Sequence, residues 1–104
     1  MASLFHLIRR PDWAAAQAAG SYRPPSLDDE GFVHFSYADQ VADTARRHYA
    51  GVDDLVLLEV DPSRLAVPVV VEDAPGTGSA FPHVYAEIPI AAVIAVHELP
   101  LHQS

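Results

Sequence analysis

Apolar residues in this chain come in short strings, SLFHLI, GFVHFS, DLVLLEVD and VPVVVED, each stopped within a few positions by a proline, a glycine or an acid. Strings of that length suit β-strands and fall short of the ~18 apolar residues that a membrane-spanning helix needs. Nine prolines and five glycines supply the breaks. A chain of 104 residues, half of them apolar and 19% charged, has the material for one hydrophobic core and is read as a single domain, 1–104.

Two segments depart from the strand pattern. Pro11 fits a first helical turn, Asp12 complements the helix dipole, and DWAAAQAAG propagates on alanine until Gly20 stops it. The second helix follows GFVHFS: Ser36 is placed to cap it with Asp39 three residues on, Val41, Ala42, Ala45 and Tyr49 form an apolar stripe, and Gly51 marks the exit. Between these helices, SYRPPSLDDE reads as a turn-rich, extended passage in which Pro24–Pro25 forbids regular helix. Later, DLVLLEVD is a strand, PSRL a tight turn, VPVVVED a fourth strand, APGTGSAFP a loop, HVYAEIP a fifth strand, and IAAVIAVHELPL a last turn and strand. Two strand–helix pairs followed by several strands predict a compact α+β fold of small, mostly antiparallel sheets with two main helices. A dinucleotide or P-loop fingerprint is absent, and Gly76-Thr77-Gly78 precedes a strand, not a helix.

Charge narrows the choice of partners. Fourteen acids against six arginines, with no lysine, give a net charge of −8. A long polyanion is disfavoured, so no nucleic-acid partner is expected; the chain also lacks the basic amphipathic helix of a membrane-surface binder. A small anionic ligand remains possible, because one pocket needs only one or two arginines. The apolar patch before Arg9–Arg10 has the wrong order for a secretory signal, and cysteine is absent; both observations lead to an expected cytoplasmic location.

The histidines carry the chemical interest. His6, His34 and His83 lie inside the apolar strings Phe5-His6-Leu7, Val33-His34-Phe35 and Pro82-His83-Val84. Each buried imidazole requires partners for two ring nitrogens. Any one of them reads most simply as a satisfied core residue, whereas all three together point to a ligand pocket. His48, His97 and His102 read as surface or terminal residues, and the tail HELPLHQS as a strand that another copy could pair with. Glu72 is either a solvated strand end or a carboxylate aimed into a cleft. Ser36 lies at a strand-to-helix junction, and Tyr22, Phe35, Tyr37, Phe81 and Tyr85 are core residues or a stacking wall. Three histidines and a carboxylate are adequate zinc or iron ligands, but no H-x-H or H-x-x-x-H pair occurs, so no metal ligand is assigned.

The ordered strings FHL, a Trp with a following G-x-Y, SL with EGFVHFS, LVLLEVD, VVVED and FPHVYAEIP with AAV resemble the bacterial family known as domain of unknown function 952, over residues 4 to 96. That resemblance implies an ADP-ribosyltransferase-like fold, in which a split pair of small sheets grips NAD. It further implies a ribose contact at His6, a place for His34 and Ser36 near the nicotinamide-side ribose, and a late polar motif at Glu72, His83 and Tyr85. In such a site Glu72, His34 and His83 would be catalytic, His6, Ser36 and Tyr85 would bind the ligand, and Arg9 or Arg10 would pair with pyrophosphate. The expected activity is an NAD- or ADP-ribose-binding enzyme acting at a ribose on a small-molecule or protein target, an ADP-ribosyl- or phospho-group transferase. A binding module without turnover, a His/Glu metal-dependent enzyme and a structural partner of other proteins stand as alternatives. Oligomeric state is not legible from the residues.

Overall fold

A computed structural model describes residues 2–74 and 76–99. Eight strands and three α-helices follow one another: β1 (Leu4–Arg9), α1 (Arg10–Ala19), β2 (Ser21–Tyr22), α2 (Pro25–Asp29), β3 (Val33–His34), α3 (Val41–His48), β4 (Leu55–Val60), β5 (Val70–Ala74), β6 (Ser79–Val84), β7 (Ile88–Pro89) and β8 (Val93–Glu98). The strands form three antiparallel sheets ordered β1-β4-β8, β2-β7 and β3-β6-β5. The fold is thus α+β, with α1 and α3 as its main helices.

The central strand of the first sheet, β4, is buried on both faces. β4 is apolar at nearly every position, as a strand between two layers must be. Ile8, Val56 and Leu58 turn toward Trp13 of α1 and Tyr22 of β2. On the other face Leu7, Leu55 and Leu57 pack under Val41 and Ala45 of α3 and under Tyr49 just beyond it. A third cluster links all three sheets: Leu4, Val33, Phe35, Val60, Val84, Ile88 and Ala92. The first and third sheets meet at one bridge, where Phe5 and Ser36 exchange both backbone hydrogen bonds at 2.8 Å.

Several elements differ from the sequence reading, each for a physical reason. Pro24–Pro25 does not keep residues 21–30 extended throughout: Pro24 is extended and Pro25 begins α2, where its missing N–H breaks no intrahelical bond. The segment 79–82 expected in a loop belongs to β6, the centre of its sheet, despite Pro82. Backbone N and O of one strand residue point to the same side, and the Pro82 carbonyl accepts from the Phe35 N–H at 3.0 Å. The absent donor therefore falls beside the end of two-residue β3 and leaves the β5–β6 ladder unbroken. HVYAEIP is not one strand; β6 stops at Val84, and Ile88–Pro89 crosses to pair with Tyr22–Ser21. VPVVVED starts later than expected, at Val70, and GFVHFS contracts to Val33–His34 plus the Ser36 bridge.

Ser36 is not a helix cap. It is buried, its hydroxyl bonds Thr44 Oγ1 at 3.1 Å, and the helix entry is instead a 3-10 turn over Ala38–Gln40. There Gln40, not Asp39, reaches back to accept from the Tyr37 N–H at 3.0 Å. His48 is exposed, as expected, whereas His97 is half-buried and donates to Glu59 at 2.9 Å. His102 and the end of the HELPLHQS tail lie outside the described residues. Among the described residues no helix is long and apolar enough to cross a membrane.

Candidate functional site

Antiparallel pairing of β3 with β6 sets His34 directly opposite His83, and pairing of β5 with β6 brings Glu72 within reach of the same face. His83 is buried, and its Nδ1–H donates to Glu72 Oε1 at 2.8 Å. The Tyr85 hydroxyl donates to that same oxygen at 2.6 Å. These two bonds, Tyr85's first and His83's second, hold the Glu72 carboxyl below its usual range, and the bond to Glu72 raises the Tyr85 phenol. Both donors converge on Oε1, so Oε2 has no side-chain partner among the described residues. The result is an ionised, oriented carboxylate with one oxygen available and a side chain 38% exposed.

An aromatic layer covers this group. The Phe32 ring stacks on His83 with centroids 4.0 Å apart and meets His34 edge-on at 4.6 Å and Tyr85 at 5.2 Å. His34 and His83 are themselves edge-to-face at 5.2 Å. His34 is exposed, and its Nε2–H donates to Glu30 Oε1 at 3.1 Å. Because Nδ1 of His83 carries the proton given to Glu72, its Nε2 is an acceptor while the ring is neutral. The arrangement offers an oriented imidazole, a carboxylate oxygen, a phenol and an aromatic face within one side of one sheet.

His6 joins from behind. Its Nδ1–H donates to the His34 carbonyl at 2.6 Å, and its Nε2 accepts from the Tyr22 hydroxyl at 2.9 Å. Its ring lies 5.1 Å from Tyr22 and 5.5 Å from Phe35. Burial lowers its pKa to about 4, the His34 carbonyl opposes that shift, and the charge His34 can carry adds to it. Neutral His6 therefore supports the strand that carries His34.

The other candidate residues go elsewhere. Arg9 donates to both oxygens of Asp54, at 3.0 Å from Nε to Oδ1 and 2.8 Å from Nη2 to Oδ2, and Arg10 pairs with Glu98. The Ser36 hydroxyl is taken by Thr44. So Glu72, His34, His83 and Tyr85 come together, His6 braces them, and Arg9 and Ser36 are not brought into contact with them. A hollow of about 300 Å³ lies away from these rings, on the face of the first sheet that Phe5 and Leu57 share. Among the described residues no group of three His, Cys, Asp or Glu side chains is placed to hold a metal ion.

Phe32 and Glu30 were missed by sequence reasoning. Phe32 lies between Gly31, at φ +88°, and β3. An aromatic residue after a glycine and two before a histidine was the available signal, but only the pairing with β6 shows that it stacks on His83.

Among proteins with curated descriptions none matches this chain. Among solved structures, the chain is similar to protein CC0527 from Caulobacter crescentus. Its X-ray structure matches with a TM-score of 0.84 and 30% identity, over 96% of this chain and 88% of that one. Its solution NMR structure matches with a TM-score of 0.81 and 31% identity, over 98% and 88%. A family model matches residues 7–96, and the chain belongs to the family described as protein of unknown function (DUF952).

Proposed function

We propose that the Glu72–His83–Tyr85–His34 cluster is a ribose-binding site for a small nucleotide-like ligand of the NAD or ADP-ribose class, and that the protein acts at that ribose in the cytoplasm. The observation that carries this reading is the convergence of the Tyr85 and His83 donors on Glu72 Oε1, which leaves Oε2 free. A carboxylate so held accepts hydroxyl hydrogen bonds and stabilises positive charge developing on a ribose as its nitrogenous group departs with the bonding electrons and water, or the target's nucleophile, bonds to the same carbon and gives up its proton. Phe32 supplies an apolar face beside it. Two separate three-stranded sheets, bridged backbone to backbone at Phe5–Ser36, support kinship with the split sheets of ADP-ribosyltransferases.

The donor set fits the ribose end of NAD better than the pyrophosphate. Arg9 and Arg10, expected to hold phosphates, are paired with Asp54 and Glu98. That favours, as a second reading, a module that binds a nucleoside-like metabolite without turnover.

Thermal unfolding with NAD, ADP-ribose and nicotinamide tests both readings. Ligand at ~100 times its dissociation constant adds about 2.7 kcal/mol, a melting rise on the order of 10 °C for a domain of this size. Absence of a shift with all three removes both. Nicotinamide release from NAD then separates them: Glu72→Gln should lower release by about 100-fold while the melting shift stays, and a wild-type protein that shifts without release is the binding module.

A further inference from the structure

α3 is only eight residues long and covers part of the sheet face beneath it. Residues paired across antiparallel strands share a face, so Leu7, Leu57 and His97 form one row and Phe5, Glu59 and Ala95 the next. The helix packs over Leu7, Leu55 and Leu57. At the N-terminal end of the helix a hollow of about 300 Å³ remains, lined by Phe5, Ala38, Val41, Leu57, Glu59 and His97. That volume lies at the lower end of small-molecule sites.

Glu59 is the anomaly in this face. It continues the row of Leu55 and Leu57 in an otherwise apolar strand, where a leucine or valine would complete the packing under α3. Instead its carboxylate is built in. Ser3 Oγ donates to Oε2 at 2.8 Å and His97 Nε2–H donates to Oε1 at 2.9 Å. His97 first and Ser3 second hold Glu59 below the usual carboxylate range, so it stays ionised. Each oxygen keeps a further lone pair. Its side chain is 25% exposed and that of His97 is 40% exposed, so the pair stands at the mouth of an apolar floor. An open apolar hollow with one oriented anion at its rim, in a chain of net charge −8, is complementary to an apolar body with a cationic head.

We propose that this hollow binds a small amine: an aryl or alkyl group against Phe5, Val41 and Leu57, and a protonated amino group hydrogen-bonded to Glu59. The site lies on the opposite face of β1 from His6 and does not depend on the ribose site, since Phe5 and His6 are successive strand residues.

The test uses three probes of matched shape, phenethylamine, 2-phenylethanol and phenylacetate, titrated into the whole protein by heteronuclear NMR. Phenethylamine should saturate shifts at Phe5, Ala38 and His97 with an affinity at least about tenfold above the alcohol, and the acid should not bind. Glu59→Gln should erase the preference for amine over alcohol. Ala38 is an exposed lip residue, so Ala38→Phe fills the hollow without disturbing the core and should abolish binding of all probes. Equal affinity for amine and alcohol, tighter binding of the acid through His97, or no saturable binding would each overturn the proposal.

Discussion

His6 is held neutral between two partners, a carbonyl that needs its Nδ1–H and a phenol whose proton its Nε2 accepts. Its folded pKa of about 4 lies below the unfolded value of 6.5. Between those values the unfolded chain binds more protons, so stability rises with pH across that window; His6's contribution is fully present above pH 6.5 and is lost as pH falls through 4. The loss amounts to about 3 kcal/mol at its limit. His6→Phe abolishes the titration but leaves the His34 carbonyl and Tyr22 hydroxyl without their partner, a cost of about 1–3 kcal/mol at neutral pH. Urea unfolding of both proteins from pH 7 to 4 should therefore show the gap between them narrowing as pH falls; parallel profiles would mean that His6 is not the titrating group. At this scale the sequence located three imidazoles in apolar strings, where each must find partners. It could not say what they were: Tyr22 and the His34 carbonyl lie 16 and 28 residues away.

At the scale of elements, α1 is the most locally determined piece. Pro11 and Asp12 open it, alanines carry it, and Gly20 ends it at φ +86°, donating its N–H to the Ala16 carbonyl at 2.9 Å. A side chain there costs conformational energy even though nothing stands within 4 Å of a Cβ. Gly20→Ala should destabilise by about 1 kcal/mol and lower the melting temperature by about 4–8 °C, read by far-ultraviolet circular dichroism. An unchanged melting temperature would show that the left-handed cap is dispensable. α3 and β4 were equally legible, from the Val41–Ala45–Tyr49 stripe and the LVLLEV run. α2, β7 and the early start of β6 were not. A five-residue helix has too little periodicity to detect, and Ile88–Pro89 is a strand only because Ser21–Tyr22 lies beside it.

The whole molecule is tied together by one core cluster that draws on all three sheets. Ile88, 1% exposed, is the fully buried contribution of the two-stranded sheet to it, and Tyr22 packs against it from the other strand. Ile88→Ala should cost about 2–5 kcal/mol through lost burial and the cavity left behind. Because Trp13 packs on a different cluster, against Ile8, Val56 and Leu58, its fluorescence reports on the first sheet while circular dichroism reports on the whole. In the variant the two signals should still coincide in a single transition. Separate transitions would show that the shared core cluster does not make the sheets unfold as one unit.

Local chemistry alone determined the alternation of short strands with two helices, the antiparallel α+β class, and the unusual placement of three histidines in apolar strings. These follow from periodicity, turn residues and the cost of burying an imidazole, all of which act over a few neighbours. Tertiary pairing decided the rest. Register put His34 opposite His83 and drew Glu72 under Tyr85, while Arg9 was claimed by Asp54 and Ser36 by Thr44. Such matches depend on which distant strands lie side by side, and that is settled by burying a shared core, not by any one segment's own preferences.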